Sequence, residues 1–478
     1  MPCVARTFLH PLRGGDRPAR CSGRKVTVFL CCRQYHCVFV AHYLYFFLLS
    51  HNFPKKLAMY DFDELIDRSG SGCIKLDWLR DMFGCGNLLP MWIADMDFRT
   101  PDFIVDALRK RLEHPVFGYT AVPDCYFKTI AEWVERLHGW QVSPEHIRYI
   151  PGIVKGIGMV IDAFLKPGDK VLVQPPVYHP FHITPQKKGF EVVYNPLIPV
   201  YEDGCGLPED MLTKDADRRL VSYKMDFDAL ERMLAEDSGI KLMILANPHN
   251  PAGICWCRET LERLAEITAR YGVLVVSDEI HAEMALSGSR HLPYASVNET
   301  AARNSITFMA PSKTFNIAGI VSSYTIVPDA ALRERFFNFL EAGELDMPAV
   351  FAPVATMAAY TKGWEWRREM LGYVQANIDY VDEWLRTNLP QIRCVRPDAS
   401  FLIWLDCRSL RLEQCELVSL FVNKAHLAMN DGSMFGQVAP DGHLQGTEGC
   451  GFMRMNVGCP RSVLTKALES LRDALTNN

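Results

Sequence analysis

The chain has no apolar run long enough to cross a bilayer comfortably, and past residue 58 it has no cysteines at metal-ligand spacing and no internal repeat. It also has no basic stripe and no zinc-finger spacing. With a net charge of −5, those absences argue against a nucleic-acid partner. Past residue 58 the cysteines follow no framework. Their closest pair, Cys255 and Cys257, has one intervening residue, which suits neither a zinc site nor a redox motif. Free thiols fit a reducing compartment, so a cytoplasmic location with no membrane contact for the core is expected. What is present is ordinary for a globular protein: 478 residues, 49% hydrophobic and 22% charged. That length allows two or more domains, a deep core and an enclosed cleft.

Charge is unevenly spread. Residues 1–58 carry nine Lys/Arg against one acid, Asp16, which leaves −13 for the remainder. The same stretch holds five cysteines and an apolar run, Cys37–Ser50, of roughly signal-peptide length. One reading is a signal or anchor, although no small-x-small cleavage pattern follows and His42 and His51 flank or interrupt the run. The other is upstream sequence ahead of Met59, in which case 1–58 lies outside the fold.

From Asp61 onward, helical periods alternate with short apolar runs. Thr100 as N-cap and Pro101 in the first turn predict a helix with Ile104, Leu108 and Leu112 on one face. A second helix is expected from Arg258, with Leu261, Leu264, Ala265 and Tyr271 inward and Gly272 as its stop. The runs Lys170–Gln174, Leu242–Ala246, Val273–Ser277 and Ser305–Met309 suit buried strands of a mostly parallel sheet. This is an α/β architecture, whose ligands sit where strands end. Long helices are expected over Arg333–Glu341, Pro353–Lys362 and Glu365–Leu389. A strand pair near Phe401–Asp406 and Gly451–Asn456 and a helix from Pro460 should follow. Residues 201–224, polar and without period, read as a surface excursion. The expected division is 59–111 joining a small domain, 112–345 as the large domain and 346–478 as the C-terminal small domain.

Four strand-end segments carry chemistry. In Met309-Ala310-Pro311-Ser312-Lys313-Thr314-Phe315-Asn316, a lysine just past a strand could form an imine with an aldehyde, and Ser312 could bond a phosphate. Ser-Lys pairs are also common on surfaces. In Ser277-Asp278-Glu279-Ile280-His281, an aspartate ending a buried strand needs a partner, and a protonated ring nitrogen would serve. A helix cap or an ion pair would equally account for it; Glu279 reads as structural and His281 as a supporting group. Asn247-Pro248-His249-Asn250-Pro251-Ala252-Gly253 forces an irregular turn, from which Asn250 could donate to a ligand oxygen or simply shape the turn. Finally, Pro151-Gly152-Ile153-Val154-Lys155-Gly156 precedes an apolar helix whose free amides could hold a phosphate, and Tyr178 after the next strand could stack on a flat ring or fill the core.

Together these segments resemble the fold-type-I pyridoxal-phosphate (PLP) enzymes, the aminotransferase class I/II family, from about Tyr60 to the C-terminus. The chain is most similar to the MalY/PatB-type cystathionine β-lyases. That likeness rests on Leu89–Phe98, Val116-Phe117-Gly118-Tyr119, Ser277–His281, Pro311–Gly319 and Phe452-Met453-Arg454-Met455-Asn456. The resemblance implies an aspartate-aminotransferase-like fold, with a large domain on a mostly parallel sheet and a smaller α+β domain. It implies Lys313 as the Schiff-base lysine, Asp278 on the pyridine nitrogen, Asn250 and His281 toward the ring oxygen and Tyr178 as stacking aromatic. Ile153 and Val154 would bind the phosphate by backbone N–H groups, helped by Ser312. Arg454 would grip the substrate carboxylate, and Tyr119 would reach the neighbouring site of a homodimer. Two departures from the wider aminotransferase pattern resemble the lyase branch: Val321 replaces a phosphate-binding arginine, and His281 replaces a tyrosine. At position 310 an alanine offers no hydroxyl.

The activity so implied is β-elimination. Freed Lys313 takes the Cα proton of an L-amino acid bearing sulfur on Cβ, and a thiol, pyruvate and ammonia result. Two rivals share the same residues: an aminotransferase, which returns the proton to the cofactor, and a PLP-fold regulator acting through a protein partner.

Overall fold

The computed structural model describes residues 59–206, 216–439, 441, 443 and 445–476. The expectations for 1–58 lie outside the described residues.

Seven short runs rich in β-branched and aromatic residues make the central sheet. They are β1 (Ile147–Ile150), β2 (Lys170–Val173), β3 (Glu191–Tyr194), β4 (Ile240–Ala246), β5 (Leu274–Asp278), β6 (Ser305–Met309) and β7 (Ser323–Ile326). Their order is β1-β7-β6-β5-β4-β2-β3, parallel from β6 to β3, with β7 antiparallel to both its neighbours. Alternate residues of one strand feed different cores. Leu242, Ile244 and Ala246 pack with helix α1 (Ile153–Phe164), whereas Met243 and Leu245 pack with helix α2 (Arg258–Arg270). A sheet covered on both faces has no polar side to show, which is why these strands read as unbroken apolar runs.

α1 lies close to the sheet because Gly156 lets it. A Cβ there would come within 2.7 Å of Ile150 Cδ1 and 3.0 Å of Phe308 Cζ. Gly152, just ahead of the helix, has φ +117°, a conformation that side-chain-bearing residues rarely adopt. The two glycines together set where the first amides of α1 point.

A second, antiparallel sheet joins β8 (Arg393–Val395), β9 (Leu402–Asp406), β10 (Asn430–Asp431) and β11 (Phe452–Asn456) in the order β8-β9-β11-β10. It shares a core with α3 (Trp364–Asn388) and α4 (Arg461–Thr476), through Val374, Ile378, Val381, Ile403, Met455 and Leu468. A short parallel pair, Leu89–Pro90 with Leu427–Ala428, attaches the N-terminal segment here.

The expected strands and long helices occur, with ends shifted by a residue or a few. Three details differ. Thr100 does not cap: the helix runs Asp102–Leu112 behind Pro101, and the Thr100 hydroxyl instead donates to the Asn316 carbonyl at 3.0 Å. A long-range acceptor has outcompeted the local one. Leu112, expected inward, is exposed. Within 201–224, Leu220–Lys224 is a strand paired with Ile198–Tyr201, and Leu220 and Tyr223 are buried, so this part is not a surface excursion. No helix among the described residues is long and apolar enough to cross a membrane.

Gly156→Val should overpack the α1–sheet contact and destabilise the protein by about 1–3 kcal/mol, read from denaturant midpoints. An unchanged midpoint would mean that the helix can lift off freely.

Candidate active site

The C-terminal ends of β4, β5 and β6 and the first turn of α1 converge on one cavity of about 190 Å³. Its walls are Ala94, Ile153, Val154, Tyr178, Phe181, Ala246, Pro248, Asn250, Asp278, Ile280, His281 and Lys313. Most are apolar, so the few polar groups act where water does not compete.

Lys313 follows β6 after a turn, and its Nζ donates to the Ala94 carbonyl at 2.6 Å. Burial lowers the amine to about 8; Arg454 pushes it further down, while Asp95 and Asp278 oppose the fall. Asn316 anchors the turn with φ 55°, in the left-handed region that asparagine tolerates. Its side chain accepts from Met96 N at 3.0 Å and donates to the carbonyls of Met96 and Phe98, both at 2.8 Å. The lysine turn is thereby bonded to the segment that carries Ala94.

Asp278 closes β5 as a buried carboxylate, and Ile280 N donates to its Oδ1 at 3.0 Å. One donor does not offset burial, which raises its pKa to about 7. Glu279 faces away from this cavity's lining and is structural, as expected. Its carboxyl accepts from Ser277 Oγ and Tyr294 N at 2.8 Å each, and His291 Nε2 lies 2.8 Å from it. His281 is buried in the cavity wall, and its Nδ1 finds no partner among the described residues. Burial lowers this ring to about 3, with the charges of Lys313 and Arg454 adding to the shift, so it is neutral at pH 7.

Arg454 comes from β11 and is buried, which lowers it to about 10 without discharging it at neutral pH. It donates to Asn430 Oδ1 at 2.7 Å, Asn250 Oδ1 at 2.9 Å and the Trp92 carbonyl at 3.3 Å. Its ring-face neighbour is Phe435, 4.9 Å from the guanidinium carbon. Because Asn250 spends its oxygen on Arg454, its Nδ2 is left as the donor for anything entering the cavity.

Of the residues singled out in the sequence, Ile153, Val154, Tyr178, Asn250, Asp278, His281 and Lys313 line the cavity, and Arg454 touches it through Asn250. Ser312 is buried beside Lys313 but is not among the lining residues. Tyr119 is fully exposed, the nearby Leu112, Val116 and Phe117 are about half exposed, and none of the four lines this cavity. Sequence reasoning missed Asn430 and the carbonyls of Trp92 and Ala94. Asn430 sits opposite Arg454 in the β10–β11 register, a pairing that needs the strands to be known first.

Comparison with known proteins adds four findings. The aminotransferase class I and II family matches residues 89–471. Cystathionine beta-lyase PatB of Bacillus subtilis is 40% identical over 416 residues, covering 87% of this chain and 100% of that protein. Among solved structures, cystalysin of Treponema denticola, which contains a pyridoxal 5'-phosphate cofactor, is similar at TM-score 0.78 and 29% identity, covering 88% of this chain and 99% of that one. The PLP-bound C-S lyase of Staphylococcus hominis is similar at TM-score 0.75 and 30% identity, covering 87% and 98%.

The depressed Lys313 amine carries a stability cost with a definite sign. Folded near 8 and unfolded near its ordinary value, it penalises the fold below pH 8, and the penalty vanishes as pH rises to about 10.5. Lys313→Met should therefore stabilise the cofactor-free protein by roughly 1–3 kcal/mol at pH 7, with the gain fading by pH 10 in denaturant titrations. A gain that grows with pH would contradict this.

Proposed function

The chain belongs to the aminotransferase class I and II family, and on that premise we propose that it is a pyridoxal 5'-phosphate-dependent carbon–sulfur β-lyase. It would cleave cystathionine or related L-cysteine S-conjugates to a thiol, pyruvate and ammonia. The convergence of Lys313, Asp278 and the Arg454–Asn250 pair on one small, apolar-walled cavity supports the cofactor, and the 40% identity to cystathionine beta-lyase PatB carries the choice of a β-lyase.

The cavity suits the cofactor on its own chemistry. The unpartnered His281 Nδ1, the free donor side of Asn250 and the poorly satisfied Asp278 carboxylate each need a ligand atom of the kind that a phenolate-bearing pyridinium ring offers. Asp278 would hold the ring nitrogen, Asn250 and His281 would serve the ring oxygen, and Tyr178 would cover a face. The first-turn amides of α1 at Ile153 and Val154, with Ser312 nearby, would hold the phosphate. When bound, the cofactor supplies an aldehyde for the substrate amine and a ring that accepts the electron pair left at Cα.

The chain's own residues do the rest. Arg454, pre-bonded by Asn430 and the Trp92 carbonyl, presents a fixed fork to the substrate α-carboxylate and so orients Cα. Lys313, with its amine near 8, can be neutral at working pH and take the Cα proton. The Ala94 carbonyl keeps that amine from swinging away from Cα. Apolar walls (Phe181, Ala246, Ile280) exclude water until the thiolate has left.

Exposed Leu112, Val116, Phe117 and Tyr119 form an apolar stretch that a lone chain leaves in water. It supports a homodimer in which Tyr119 reaches the neighbouring site. The pairing of Leu89–Pro90 with Leu427–Ala428 supports grouping 59–111 with 346–478 as a small domain beside the large domain at 112–345. A cytoplasmic location fits free cysteines that include three buried ones, Cys394, Cys407 and Cys459.

Pure enzyme given cystathionine should release pyruvate with no keto acid added; turnover only in the presence of a keto acceptor would make it an aminotransferase instead. Arg454→Lys should raise KM by ~10- to 100-fold with a smaller effect on kcat. Mixing inactive Lys313→Ala and Tyr119→Ala chains should restore activity through hybrid dimers, since one site then has both residues. No recovery would remove Tyr119 from the neighbouring site.

A further inference from the structure

The segment Met91–Phe98 contributes only Ala94 to the cavity wall, yet it supplies a carbonyl both to Lys313 in that wall and to Arg454 behind Asn250: Ala94 O to Lys313 and Trp92 O to Arg454. Its backbone shape therefore positions both groups. On one side it is held by Asn316 and by Asn456, whose Nδ2 donates to the carbonyls of Ile93 and Asp95 at 2.6 Å each.

On the other side stands a tetrad of charges. Lys75 is 1% exposed, with its ammonium 2.8 Å from Asp97 Oδ2, 3.7 Å from Asp95 Oδ1 and 3.3 Å from the Asp95 carbonyl. Arg68 donates to Asp95 Oδ2 and Asp97 Oδ1 at 2.8 Å each. Trp92 Nε1 donates to the Lys75 carbonyl at 3.0 Å, which ties the helix carrying Lys75 back to the same segment. Burying an ammonium is costly, and a structural tie could be made by an apolar side chain of similar size. Two carboxylates and two cations cancel, and Asp95 is the member of the set that acts on Lys313.

We propose that Lys75 is a positioning residue of the reaction: paired with Asp95 and Asp97, it fixes the Ala94 carbonyl against Lys313 and keeps the carboxylate pair electrically neutral beside that lysine. This rests on Lys313 being the cofactor lysine. The charged or titratable groups acting on Lys313 are Asp95, Arg454 and Asp278, and His281 shares the cavity. Those around the carboxylate pair are Arg68, Lys75 and the Cys459 thiol, which burial pushes up, with Asp97 adding to the shift.

The test is the pH midpoint of the visible absorbance of the cofactor linked to Lys313, measured on holoenzyme variants. Lys75→Met uncovers a negative charge and should move the midpoint up by about one pH unit. Asp95→Asn uncovers a positive one and should move it down, whereas Lys75→Arg and the double variant Lys75→Met/Asp95→Asn should lie near wild type. Shifts of one sign in both single variants, or none in either, would overturn the proposal and leave Lys75 a folding residue. If Lys75→Met does not fold, Asp95→Asn alone decides: an unmoved midpoint rejects the proposal, and a downward shift with wild-type behaviour in Lys75→Arg supports it. A wild-type protein with no titrating band would instead fault the assignment of Lys313.

Discussion

Two buried basic side chains, Lys313 in the cavity wall and Arg454 behind Asn250, are held close to one another, and each needs partners that its own segment does not supply. Those partners come from Trp92 and Ala94, from Asn250 and from Asn430, residues far away in the chain that meet only when both sheets have formed. The Met91–Phe98 segment is the common element. It receives Lys313 and Arg454 on one face and is bonded by Asn316, Asn456, Arg68 and Lys75 elsewhere. Displacing it would loosen Lys313 and Arg454 together, the groups proposed to move the proton and to hold the substrate carboxylate.

The same arrangement explains why the site is unstable taken alone. Burial leaves Asp278 raised to about 7, His281 lowered to about 3 and Lys313 lowered to about 8. Each of these groups would be better solvated elsewhere. The surrounding core carries the cost, with α1 packed tightly on the sheet through Gly156 and the second sheet locked to α3 and α4. A ligand that partnered Asp278 and His281 would offset part of that cost, so binding and folding would be linked.

How much of this could be read from the sequence depended on distance along the chain. Lys313, Asp278 and Asn250 were legible because each ends or follows a buried strand, and strands announce themselves locally. The roles of Ala94 and Trp92 were hidden because a carbonyl has no side-chain signature. Asn430 was hidden because only the β10–β11 register sets it against Arg454. Thr100 misled for a related reason: its hydroxyl had a local use as a cap and a distant one on Asn316, and the distant one prevailed. Leu220–Lys224 was concealed by its polar surroundings and by an irregular burial pattern: Leu220 and Tyr223 are both buried although three residues apart, and the pairing with Ile198–Tyr201 shifts register there. Tyr119 stays exposed in a single chain, so the role proposed for it is one that neither local pattern nor intrachain packing can express.

The central claim is that Lys313, among all the lysines of the chain, carries the cofactor. Reduction of the purified holoenzyme with borohydride, followed by digestion and mass mapping, tests it directly. One phosphopyridoxyl adduct should appear, on the peptide containing Ser312-Lys313-Thr314. An adduct on another lysine, or none despite bound cofactor, would contradict the account.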